Sequence, residues 1–178
     1  MQFEMKTLTR QSVLLEVNLR WLRQALRLVD RVDDTAYVAT RTGAHLRHII
    51  EFYRCFLDGI ECSHVEYDAR QRDETIERSR TAAADALRST MRAMENCRAL
   101  RGEAIVWVRV EDADGYAIRE PFVESSISRE LMALSSHTIH HFALIAMSLR
   151  FRGIETEPDF GMSPSTLRYQ ASRSAEAA

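Results

Sequence analysis

Lysine is nearly absent from this chain of 178 residues: Lys6 stands alone, and arginine carries the rest of the positive charge. With a net charge of −2 there is no basic excess to recruit nucleic acid or an anionic membrane surface. The three cysteines, Cys55, Cys62 and Cys97, are odd in number and lack CxxC spacing. They read as reduced thiols of a cytoplasmic protein, not as a disulfide frame. The first residues show no basic stretch followed by an apolar run, so no secretory signal is expected. No uninterrupted apolar stretch approaches the ~20 residues of a membrane helix. Glycine-rich phosphate loops and GxSxG elbows are missing too, which removes the common nucleotide-binding and serine-hydrolase readings.

What remains is mostly helical pattern, because only six glycines and three prolines punctuate it. Leu8, Leu15, Leu19, Leu22, Leu26 and Val29 recur at helical spacing and predict a first helix to about Val32, ended by a turn at Asp33-Asp34-Thr35. A second helix is expected from about Thr40 to Glu61, capped by Thr40 or Thr42. His45, His48, Phe52 and Cys55 alternate steps of three and four and so share one face of it, expected to point inward. A polar connection over 63–72 leads to a third helix from about Asp73 to Ala99. Ala104–Val110 and Tyr116–Val123, around the turn signal Asp112-Ala113-Asp114-Gly115, read as a β-hairpin. A fourth helix begins near Ser125-Ser126 and runs to about Arg152-Gly153, with Leu131, Leu134, Thr138, His141 and Ile145 inward. The expectation is one domain over 1–170 and a flexible tail over 171–178.

Five of the six histidines fall in two windows, Gly43-Ala44-His45-Leu46-Arg47-His48 and Ser136-His137-Thr138-Ile139-His140-His141. His137 and His141 lie four residues apart, about one helical turn and a rise of ~6 Å, on one face. Two imidazoles so placed can bind one divalent ion, and a third from the second helix, His45 or His48, completes three ligands with a position left for water or substrate. His140 is turned away from His141 by about 100° and belongs to the periphery. The bland alternative is a set of core histidines paired with buried acids. The HxxxH spacing falls short of a zinc protease, since Thr138 stands where the general-base glutamate of HExxH would be. Glu51, three residues after His48, is placed to orient a histidine, to ligate, or to move a proton, or else to be a solvated helix acid. Cys55, a heptad after His48, reads foremost as a small core residue. The connector Val65–Asp73 reads as a surface turn with an Asp73 cap, or as a segment that contacts a substrate or lids the metal.

Over about residues 8–168 these features resemble the DinB-like proteins, relatives of metal-dependent bacillithiol- and mycothiol-linked transferases. The two histidine windows, together with Phe160-Gly161 and Ser163-Pro164-Ser165-Thr166, carry the resemblance. It implies a mainly α fold, an up-down-down-up four-helix bundle with a β-hairpin before the last helix. It implies a divalent metal, zinc or nickel foremost and iron or manganese next, on His48, His137 and His141. Glu51 stands where relatives carry Asp, and Glu51 or His45 would move the proton. The implied activity is a transferase or hydrolase acting on a small molecule, a low-molecular-weight thiol among the candidates, in a homodimer. A non-catalytic metal-binding or stress-response module is the alternative.

Overall fold

The computed structural model describes residues 9–110 and 120–176. The protein is mainly helical with a small three-stranded sheet. Helix α1 spans Arg10–Arg31, α2 Asp34–Ala39, α3 Thr42–Glu61, α4 Glu74–Arg78, α5 Arg80–Asn96, α6 Ile127–Arg150 and α7 Pro164–Glu176. Strands β1 (His64–Val65), β2 (Ile105–Arg109) and β3 (Phe122–Ser126) form the sheet. The long helix α1 packs on α5 and α6, and α3 packs on the same two. Their apolar faces close one core around Leu22, Leu46, Ile49, Phe56, Leu87, Leu131, Phe142 and Ile145.

Local chemistry explains most helix starts. Thr9, Asp33, Asp73, Ser79 and Ser126 each accept a hydrogen bond from a backbone N–H in the first turn of the helix they precede. Ser126 starts α6 where the sequence placed it. Thr40 and Thr42 do not cap α3: the Thr40 hydroxyl donates to the Ala36 carbonyl at 2.7 Å and lies 2.8 Å from Thr42 Oγ1. Asp33 opens the short α2 where the sequence suggested only a turn. The expected third helix is broken at Ser79, whose extended backbone ends α4 and whose side chain caps α5. Ile76 and Ala83 keep helical spacing across this break, which hides it from pattern reading.

The hairpin is present as antiparallel β2 and β3, with Trp107 opposite Glu124. Its turn signal at Asp112–Gly115 and the first residues of the expected second strand, 116–119, lie outside the described residues, and β3 runs on to Ser126 past the expected end at Val123. The sheet has a third strand that the sequence did not suggest: β1, from the connector, pairs parallel to β2. Past α6, the Phe160 ring stacks on Phe142 at 4.5 Å, and the Gly161 N–H donates to buried Gln24. Helix α7 occupies Pro164–Glu176 and so runs into the segment expected as a flexible tail from residue 171. No helix among the described residues is long and apolar enough to cross a membrane.

Gly43, in the first histidine window, has a packing reason. A Cβ there would run into the Glu77 carbonyl and lie 2.6 Å from the Tyr37 ring. The N-terminal turn of α3 therefore packs directly on α4, and the Tyr37 hydroxyl ties α2 to the same helix by donating to the Ile76 carbonyl at 2.7 Å.

Three helices are tied by polar groups inside the core. The Tyr53 hydroxyl of α3 donates to Asn18 Oδ1 of α1 at 2.7 Å and lies 3.2 Å from Thr138 Oγ1 of α6. Asn18 Nδ2 donates to the Leu14 carbonyl at 2.8 Å and across to the Leu131 carbonyl at 3.0 Å. All three side chains are fully or almost fully buried. Tyr53→Phe keeps the ring but leaves the buried Asn18 Oδ1 without a donor, a loss of about 1–3 kcal/mol. The expected result is a melting temperature lower by roughly 3–10 °C, measured by calorimetry.

Candidate metal centre

The two histidine windows meet where α3 crosses α6. One ligand nitrogen from each of His48, His137 and His141 lies within 4.8 Å of the others. The ring centroids are 4.6–4.9 Å apart in every pairing. His48 is therefore the α3 residue that completes the trio, as the resemblance implied. His45 sits one layer out, with its Nδ1 3.0 Å from His141 Nδ1. His140 is exposed and makes an edge contact with His141 at 5.2 Å.

These side chains flank the core instead of lining it. The buried stripe of α3 is Leu46, Ile49, Ile50, Tyr53, Phe56 and Ile60, while His45, His48, Phe52 and Cys55 are half-buried beside it. On α6 the stripe includes Leu131, Leu134, Thr138 and Ile145 as expected, but Phe142 fills the core and His141 stands at its edge. The reason is solvation: an imidazole wants polar partners, and the flank leaves room for them.

Aromatic side chains wall the cluster. Phe52 stacks on the His137 ring at 4.2 Å and on Tyr67 at 5.0 Å. Tyr67, from the connector, donates its hydroxyl to buried Glu130 at 2.7 Å. Arg70, from the same connector, has its Nη1 2.6 Å from His48 Nδ1 and its guanidinium carbon 5.0 Å from the Phe52 ring centre. A small cavity of about 200 Å³ opens against His137, bounded by Phe52, Tyr67, Ala133 and Leu134.

Electrostatics keeps the imidazoles neutral. Burial pushes His48 down to about 4 and His141 down to about 3, and neighbouring imidazoles push the same way. At His48 the Arg70 and Arg47 guanidiniums add to the effect. Burial also lowers His45 and His137 from the usual histidine range, with Arg41 and His140 adding at His45 and His140 and Arg70 at His137. At neutral pH the trio is thus neutral, the protonation state in which histidine binds a metal. His137 Nε2 is buried without a hydrogen-bond partner, an unmet demand of the kind that a cation would satisfy. Three neutral imidazoles suit a divalent transition-metal ion.

Two sequence-derived candidates stand elsewhere. Glu51 is buried and its Oε1 accepts from the Asp73 backbone N–H at 2.8 Å. Among the described residues it makes no hydrogen bond to a histidine, so it neither orients the trio nor satisfies it. Glu51 and Cys55 line a separate cavity of about 350 Å³, shared with Arg54, Asp58, Arg70 and Gln71. Burial raises the Cys55 thiol. Phe52 was placed by the seam, whereas Tyr67 and Arg70 belong to the connector that the sequence offered as a lid or substrate contact without singling out either residue. They arrive from 15 to 22 residues along the chain, and no periodicity connects them to α3.

No family model matches the chain, and no solved structure matches it. Among curated proteins it is similar to FK506-binding protein 5 of Rhizopus delemar, 29% identical over 107 residues. That stretch is 59% of this chain and 27% of the relative, so the chain spans about a quarter of that protein's length.

The lowered histidines fix the sign of a pH effect. A base that is harder to protonate when folded than when unfolded makes the folded state bind fewer protons, so stability falls as pH drops through the unfolded value of ~6.5. The loss continues down to the folded values, about 4 for His48 and about 3 for His141. Denaturant melts of metal-free protein between pH 7 and 4 should show this loss, and His141→Gln should make the slope shallower.

Proposed function

We propose that the protein is a DinB-like four-helix bundle, with α1, α3, α5 and α6 as its helices, and a divalent-metal-dependent enzyme. His48, His137 and His141 would hold the ion, with zinc or nickel as the expected metal. The observation that carries this reading is the approach of three neutral imidazoles from two helices within 4.8 Å, with a buried His137 nitrogen lacking a partner. The competing idea, histidines paired with buried acids, loses support because Glu51 bonds to the connector backbone.

An ion bound there would act as a Lewis acid and lower the pKa of a water or substrate group at its open position. The protein's own contributions follow from its contacts. His45 accepts from His141 Nδ1–H in the tautomer that leaves His141 Nε2 free, and so orients that ring. His45 is also the group nearest at hand to relay a proton away from the trio. Phe52 and Tyr67 exclude water from one side of His137 and shape the small cavity where a substrate would sit. Access from that cavity favours an enzyme over a closed structural site. The reaction class proposed is transfer or hydrolysis on a small molecule.

Purified without a histidine tag, the protein should carry one divalent ion per chain by elemental analysis. Zinc or nickel at about a hundredfold over Kd should raise the melting temperature by roughly 5–10 °C. His137→Ala/His141→Ala should abolish both. Failure to find metal in the isolated protein, with no thermal response to added metal, would falsify the proposal.

A further inference from the structure

Proton counting at His48 gives Arg70 a role. A neutral imidazole has one N–H and one lone pair, and a guanidinium can only donate. With Arg70 Nη1 2.6 Å from His48 Nδ1, the lone pair of that ring is taken, and its proton must sit on Nε2. In this arrangement His48 has no nitrogen left for a metal ion. Arg70 itself is not satisfied: its Nε is buried without a partner, and its ion pair with Asp68 is long, at 3.9 Å. The guanidinium rests over Phe52, whose ring in turn stacks on His137.

We propose that Arg70 is an exchangeable cation at this centre, competing with the metal for His48 and, once displaced, receiving the anionic group of the ligand that joins the metal. The second half rests on the metal reading above. Three imidazoles bring no negative charge, and Glu51 is turned away, so an ion held here would keep its full double charge beside a guanidinium. A site of that kind favours an exogenous anion. The ligand class is therefore an anionic small molecule, with a carboxylate or phosphate-like group directed to Arg70.

The first test needs no metal. Long-range proton–nitrogen correlation spectra of metal-free protein, assigned with His48→Gln, should show His48 Nδ1 as the unprotonated nitrogen. In Arg70→Met, which keeps an apolar stem over Phe52, that nitrogen should shift while His45 does not. A protonated Nδ1 in the wild type overturns the proposal, even if Arg70→Met fails to fold. The second test is zinc titration against a chelator. Arg70→Met should bind roughly tenfold tighter or more, the equivalent of one charge-assisted hydrogen bond, and Arg70→Lys should stay near wild type. Equal or weaker binding by folded Arg70→Met overturns the competition. Sulfate at constant ionic strength should strengthen zinc binding by wild type and leave Arg70→Met unchanged; an equal response in both overturns the anion half. Absence of zinc binding by every variant defeats the metal reading, while the spectra still decide whether Arg70 holds His48.

Discussion

The Tyr53 hydroxyl, donating to Asn18 and lying against Thr138, is the contact on which the site depends. Apolar packing alone tolerates small rotations of one helix against another, because it is not directional. A buried hydrogen bond does not, since turning the helix orphans a group that water cannot reach. Tyr53 follows Phe52 on α3, and Thr138 follows His137 on α6. Locking those two core residues therefore locks the rotation of the residues next to them. Slipping α6 by a single residue would turn its histidines by about 100° and carry them away from His48.

The flanking position of the histidines is the compromise that makes the chemistry possible. In the core stripe, each imidazole would need a fixed partner and no ligand could enter. On the exposed face, each would be solvated and readily protonated. Half-buried between Phe52, Tyr67 and one another, they are neutral at physiological pH and still border open space. The same burial that depresses their proton affinity leaves His137 Nε2 wanting a partner.

What could be read from sequence follows the range of the interactions involved. The long helices, the Ser126 cap and the pairing of His137 with His141 rest on contacts within a turn or two, which periodicity reports directly. The choice of His48 over His45 came from resemblance, because steps of three and four put both on nearly the same face. The break at Ser79 was hidden, since Ile76 and Ala83 keep helical spacing across it. Strand β1 was hidden because two residues carry no pattern, and its pairing with β2 spans more than forty residues. Glu51 is the opposite case: its spacing from His48 admits a catalytic acid, while the partner it has, a backbone N–H, is one that only the fold supplies.

That partner gives Glu51 a different function. The connector is pinned at both ends: Tyr67 by its stack on Phe52 and its bond to Glu130, and Asp73 by the bond of its N–H to Glu51. Arg70 lies midway between these pins, so its guanidinium is delivered to His48 by a short tethered loop. The entropy of placing it has already been met by contacts made elsewhere, and a modest hydrogen bond suffices to hold it there. A tether of this length also limits how far the guanidinium can retreat. When another cation claims His48, Arg70 must stay within the neighbourhood of the centre, where its charge favours whatever anion arrives. The buried acid that looked catalytic thus acts at a distance, through the backbone, by keeping an arginine beside the histidines.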